Sequence, residues 1–140
     1  MPIILADTDA RIARCFPVMA QLRPNLTAAG FVPLIRQQQA EGYQLAFLEE
    51  GDEVRSVAGF RIHNRLHAGR TLYVDDLVTD SNARSRGHGD RLFDWLVQRA
   101  RQSGCRLFSL DSGTHRVDAH RFYLRKRMRI SCFHFDLPLH

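Results

Sequence analysis

Lysine is almost missing from this chain. Lys126 stands alone against nineteen arginines in 140 residues. The guanidinium fork matches phosphate oxygens, so the imbalance suits phosphate recognition. Codon preference would produce the same bias and is the expected source of most of these arginines. Cysteine is scarce too: Cys15, Cys105 and Cys132 are odd in number, far apart and without a C-x-x-C. That excludes a disulfide framework and a cysteine zinc site, and it fits a reducing compartment. No apolar run reaches the length of a membrane span, and "MPIILADTDARIA" has too short an apolar stretch for a signal peptide. A cytoplasmic protein with no membrane partner is expected. Repeats, low-complexity tracts and Pro/Ser/Gly linkers are also absent, so one domain is expected over residues 1–140.

What the chain does have is an ordinary soluble composition with a basic balance. Hydrophobic residues make up 44%, charged residues 25%, and the formal charge is +5. Acidic partners, nucleic acid included, therefore need testing against the motifs. "PIIL" suits a first strand. Asp7, Thr8 and Asp9 offer caps for a helix to about Gln21, bearing Ile12, Cys15, Phe16 and Met19 at helical spacing. Pro17 is expected to kink or shorten it. Residues 26–40 read as a weaker helix interrupted by Gly30 and Pro33. "YQLAFLEE" and "VRSVAGFRIH" form a hairpin through "EEGDE", and "TLYVDDLVT" is a third strand. There follow a helix from about Gly89 to Ser103, a strand at "CRLFSLD", a helix at "VDAHRFYLRKR" and a last strand at "ISCFHFDL". The order β-α-α-β-β-β-α-β-α-β implies an α/β (α+β) fold.

The chemistry concentrates in "ARSRGHGDRLFDWLVQRAR". Leu92, Phe93, Leu96, Val97 and Ala100 form one apolar stripe, so a packed helix begins just after Gly87 and Gly89. The glycines fall where the first helical N–H groups lack internal partners. A strand, a glycine-containing turn and a helix N-terminus make an anion site, and Arg84 and Arg86 add charged donors. A pyrophosphate suits this turn; a solvated basic turn is the bland alternative. Leu92 stands where a dinucleotide fingerprint needs its third glycine, and no G-K-[ST] follows, which removes two familiar phosphate loops.

In this setting the sequence resembles the GNAT superfamily of acyl-CoA-dependent N-acetyltransferases. Arg84, Gly87 and Gly89 meet the signature [Q/R]-x-x-G-x-[G/A]. "YVDDLVTDSNAR" precedes it, and "RLFSLD", "AHRFYLRKRM" and "ISCFHF" follow in the family's order. The resemblance is specific over residues 71–128 and topological over 1–70. It implies a central mixed twisted sheet of about six strands with about four helices. Residues 71–128 would be the cofactor-binding and catalytic core, and 1–70 the acceptor side. It implies acetyl-CoA, or another acyl-CoA, as co-substrate, no metal, and a primary amine of a small molecule or peptide as acceptor. Backbone groups of Leu77, Val78 and Thr79 would pair with pantetheine beside a strand bulge. Amides from Arg86 through His88 and Gly89 to Asp90 would cradle the pyrophosphate. Tyr123 would protonate the departing thiolate.

Extracting a proton from an alkylammonium near neutral pH costs on the order of 4–5 kcal/mol unless the site lowers the amine's pKa or supplies a base. Asp75 and Asp76 lie where similar enzymes often keep a carboxylate. Neighbours on a regular strand point to opposite faces, so one is expected at the site unless a bulge changes the parity. By its alignment Asp75 is the first choice as base, with Asp76 binding substrate or serving structure. The pair suits a cationic amine such as a polyamine, an aminoglycoside or a lysine-like group. Three departures from the family pattern stand out. Val117 replaces a common asparagine, with Ser112 or Asp118 available to compensate. Arg127 and Met128 replace a glycine and an aromatic. Asp90 must point away from a bound pyrophosphate.

His88, His115 and His120 are read as surface or structural residues, and no H-E-x-x-H motif occurs. Two rival functions remain: a catalytically weak acyl-CoA-binding or regulatory domain, and a nucleic-acid module built on "HRFYLRKRMR". Helical spacing scatters the charges of that stretch, and Asp75-Asp76 and "EEGDE" interrupt any basic face. The alternating "ISCFHFDLPL" leaves open a homodimer through the terminal strand.

Overall fold

Two apolar isoleucines and a leucine open the sheet: β1 is Ile3–Leu5 in the computed structural model, which describes residues 2–140. Two helices follow, α1 (Asp9–Leu22) and α2 (Ala28–Ala40). Each starts at a threonine whose hydroxyl accepts an early helical amide, Thr8 from Arg11 and Thr27 from Gly30. Pro17 and Pro33 sit inside them without ending them, so α2 runs through the interruption expected at Gly30 and Pro33. Then come β2 (Tyr43–Glu50), β3 (Glu53–Arg65), β4 (Gly69–Thr79), a short 3-10 turn (Ser81–Ala83), α3 (His88–Gln102), β5 (Leu107–Leu110) and α4 (Val117–Arg125).

The sheet order is β1-β2-β3-β4-β5, with antiparallel pairing from β1 through β4. The helix α3 crosses back to bring β5 beside β4, as a parallel connection requires. The result is a mixed α/β sheet of five strands with four helices. The sixth strand expected at "ISCFHFDL" does not form: residues 129–140 have no regular structure, and Phe133, Phe135, Leu137 and Leu139 are exposed. Alternation of apolar residues qualifies a segment for pairing but does not supply the neighbour whose backbone it needs.

The chain divides into two compact units, Met1–Ser109 and Leu110–His140. In the first, alternate β2 residues Tyr43, Leu45 and Phe47 pack with Ile12, Cys15 and Met19 of α1 and Phe31 and Ile35 of α2. Their out-of-phase neighbours Ala46 and Leu48 are buried as well. Phe60 meets Trp95 of α3 edge-on at 6.2 Å, which places α3 on the opposite face. Both faces of the central strands are covered, and this is why they read as near-continuous apolar runs. In the second unit α4 has no fully buried residue. Phe122 and Tyr123 contact each other edge-to-face, and His120 Nε2 lies 2.8 Å from the Gly113 carbonyl.

Candidate functional site

Two neighbouring features of the first unit offer groups suited to chemistry, and one irregularity of β4 shapes the first. Gly59 of β3 pairs with Asp76, yet Phe60 pairs with Val74, so Asp75 is an extra residue on β4. Such a bulge breaks the strict alternation of a strand. Both carboxylates consequently line one cavity of about 300 Å³, where a regular strand would have turned one of them away. α1 contributes Met19 to its wall, Arg23 follows directly, and α2 contributes Phe31 and Gln38.

The carboxylates are held by groups from distant parts of the sequence. Tyr43 donates its phenolic hydrogen to Asp76 Oδ2 at 2.7 Å, and Arg23 Nε donates to Asp76 Oδ1 at 2.9 Å. Arg61 Nε donates to Asp75 Oδ2 at 3.1 Å, and its other nitrogens reach the Glu41 carbonyl and Gln38 Oε1. Burial pushes the Tyr43 phenol well above its usual range, and the charges of Asp76 and Asp75 push it further. It therefore stays a donor at any working pH. Burial also raises the Asp75 carboxyl, against the opposing pull of Arg61.

Gly59 makes this arrangement possible. A Cβ there would lie 1.7 Å from the Tyr43 hydroxyl oxygen, so no other residue admits the ring. Tyr43, Arg23, Arg61 and Gly59 carry no local motif, and sequence reasoning missed them. The available signal was Gly59 itself, an isolated glycine inside a strand pattern, which marks a bulge or a close approach.

The second feature is the turn after β4. Gln21 of α1 pins it at both Asp80 Oδ1 and the Ser81 amide, and Arg55 adds an ion pair to Asp80 at 3.6 Å. Ala83 is fully buried, while Arg84, Ser85, Arg86 and Gly87 are exposed. Ser85 and Gly87 both have positive φ, 67° and 82°. Gly87 is the N-cap of α3 and offers no side-chain cap, and the first intrahelical bond runs from the Arg91 amide to its carbonyl. The amides of His88 and Gly89 thus precede the first intrahelical bond, which is the condition for anion binding at a helix start.

Gly89 abuts the end of β4, where a Cβ would come within 2.8 Å of Thr79 Oγ1. The His88 ring turns inward: it is 1% exposed, with Nδ1 at 3.2 Å from the Ala83 carbonyl and Nε2 at 3.7 Å from Glu50. Its ring is therefore not available to a ligand. Asp90 is exposed.

Leu77, Val78 and Thr79 pair with β3 on one edge of β4. β5 begins beside Arg70, where the Arg106 amide meets its carbonyl at 2.7 Å. Its four residues cover only about 13 Å at strand rise, so they end well short of Thr79. An acyl-CoA fits these residues: the loop is open around Gly87, the helix start is uncapped, and Arg84 and Arg86 reach solvent.

In the second unit Tyr123 lies on α4 and is half-buried, and burial raises its phenol against the opposing charge of Arg116. Ser112 precedes α4 and is partly buried. The Arg127 amide bonds to the Leu124 carbonyl and the Met128 amide to that of Tyr123, with Arg127 at φ 69°. That is the helix-ending motif in which glycine is the usual residue. Arg127 thus adopts the conformation for which the family's glycine is suited. No group of three or more His, Cys, Asp or Glu side chains able to hold a metal occurs among the described residues. No helix among them is long and apolar enough to cross a membrane.

The sequence profile of the acetyltransferase (GNAT) family matches residues 12–128. The N-acetyltransferase YhdJ of Bacillus subtilis is 36% identical over 115 residues, 81% of each chain. The aminoalkylphosphonate N-acetyltransferase of Salmonella typhimurium is 35% identical over 100 residues, 69% of this chain and 62% of that one. A putative acetyltransferase from Agrobacterium tumefaciens has the same fold, with a TM-score of 0.85 over 99% of both chains at 19% identity. Fold, profile and relatives agree with the glycine turn before α3: the chain belongs to the GNAT family and is an N-acetyltransferase.

Proposed function

We propose that the enzyme transfers an acetyl group from acetyl-CoA to a primary amine of a small molecule or peptide by direct attack on the thioester. The bulge at Asp75 carries this reading, because it gives one cavity two carboxylates able to receive an ammonium group and its proton. A raised carboxyl is a better proton acceptor at neutral pH than an ordinary one, and Asp75 has that character. Asp76, held by the Tyr43 hydroxyl, orients the amine. The partial likeness to the aminoalkylphosphonate enzyme supports a small-molecule acceptor.

The acyl thioester supplies the electrophilic carbonyl. Amides of His88, Gly89 and Asp90, with the guanidiniums of Arg84 and Arg86, hold its pyrophosphate. Backbone groups of Leu77–Thr79 pair with its pantetheine arm. Tyr123, kept protonated by burial, gives its proton to the leaving sulfur, and Ser112 completes the cofactor side. Residues 71–128 thereby form the catalytic core of a single domain, with the acceptor bound largely by 1–70.

The buried Cys15 thiol, pushed up to about 12 by burial, is inert, and three unpaired cysteines support a cytoplasmic location. The exposed alternating residues of 129–140 support pairing with a second copy.

The test is thiol release from acetyl-CoA with a panel of amines. Amine-dependent release that Asp75→Asn slows, with acetyl-CoA affinity retained, is expected. Acetyl-CoA binding without release for any amine would favour the non-catalytic reading.

A further inference from the structure

The cavity beside the bulge is electrically balanced, and that balance selects its ligand. Among the described residues its only charged lining residues are Arg23, Arg61, Asp75 and Asp76, and each arginine is paired with one aspartate. An ammonium ion therefore meets no unclaimed carboxylate. At Asp76, where Tyr43 and Arg23 take one oxygen each, it binds by displacing a guanidinium.

The two guanidiniums are not equally displaceable. Arg61 is held at Asp75, at the Glu41 carbonyl and at Gln38, and it stacks over the Tyr43 ring with its central carbon 5.5 Å from the centroid. Arg23 follows the end of α1 with a side chain 46% exposed, and it is held only by Asp76 Oδ1 and the Asp75 carbonyl. Asp76 tolerates its departure, because Tyr43 keeps donating to the other carboxylate oxygen.

An entering ammonium thus takes the place of Arg23 at Asp76 and leaves that guanidinium without an anion. A ligand with an anionic group of its own repairs the loss. We infer that the acceptor is a small zwitterion, an amine bearing a phosphonate, phosphate or carboxylate a few bonds away, whose ammonium exchanges with Arg23 at Asp76 and whose anion is taken by Arg23. This rests on the cavity being the acceptor site proposed above. It also narrows the acceptor: a polyamine brings two or more positive charges to a cavity with no net negative charge to receive them.

The experiment compares aminoethylphosphonate and β-alanine with ethanolamine and putrescine at one ionic strength. Binding to the full chain is followed by calorimetry without acetyl-CoA, and turnover by thiol release. The zwitterions are expected to bind at least tenfold more tightly than ethanolamine and putrescine. Arg23→Gln is expected to collapse that preference to within about threefold, and Arg23→Lys to restore part of it. The ratio of phosphonate to carboxylate affinities identifies which anion is read.

Putrescine or ethanolamine binding as well as the zwitterions overturns the inference, as does a preference that survives Arg23→Gln. Acetyl transfer can stand in either case. Zwitterion binding through Arg23 with no thiol release gives the opposite result: the selectivity holds and the proposed reaction fails.

Discussion

The two compact units treat similar apolar patterns in opposite ways. In β2 Tyr43 and Leu45–Leu48 are buried, on both faces of the strand, between the α1/α2 layer and α3. In residues 129–140 an equally apolar alternation leaves Phe133, Phe135, Leu137 and Leu139 between 80% and 91% exposed. The difference lies in the partners, since a strand is stabilised by the backbone and side chains it meets and only weakly by its own composition. Residues that look alike in the sequence should therefore respond very differently to substitution.

The sharpest contrast is between two phenylalanines. Phe60→Ala removes a fully buried ring that packs on Trp95, and a loss of roughly 3–5 kcal/mol is expected in urea denaturation. Phe135→Ala, at a ring 91% exposed, should stay within about 0.5 kcal/mol in dilute protein. Equal losses would break the comparison and mean that the terminal segment is covered in solution.

Catalysis gives the next largest effects, one in each unit. Asp75→Asn is expected to lower kcat/KM about 10²-fold, and Tyr123→Phe to lower kcat by a similar factor while acetyl-CoA affinity holds. The pH dependence follows from the raised Asp75 carboxyl. In its proposed role as base it must be ionised, so the acid limb of kcat/KM should lie above the usual aspartate range. The stability sign is opposite. A carboxyl raised in the folded state contributes stability below its unfolded pKa and loses it as pH rises through the folded value. Asp75→Asn should therefore gain stability relative to the parent on going from acid to neutral pH, as activity falls. An activity profile flat across that range would remove Asp75 from the reaction.

A smaller effect belongs to the second unit. Arg127 occupies the left-handed position that ends α4, and Arg127→Gly should stabilise the chain by about 1 kcal/mol. Denaturant titration of both proteins measures it. No change would mean that the α4 terminus is already frayed.

The same contrast explains what the sequence made legible. Leu92, Phe93 and Leu96 announce α3 because helical spacing is local, and Gly87 and Gly89 mark the turn because positive φ and close approach select glycine. The cavity beside the bulge left only the isolated Gly59 as a trace. Tyr43, Arg61 and Arg23 meet Asp75 and Asp76 only through sheet register and the packing of α1 against it. A one-residue bulge decides the parity of the aspartates, and no local preference at Asp75 reveals it. The missing sixth strand has the same origin: its pattern was present, its neighbour was not.

The notch at Gly59 has an evolutionary consequence. With the Tyr43 oxygen occupying the volume of a missing methyl group, positions 43 and 59 cannot change independently. A lineage that enlarges residue 59 first passes through an overpacked enzyme with the Asp76 contact broken. One that shrinks Tyr43 first passes through a looser but foldable enzyme, and only then is residue 59 free to grow. The order of the two substitutions is thus set by sterics, and related enzymes with alanine at this place should have lost the tyrosine before gaining it.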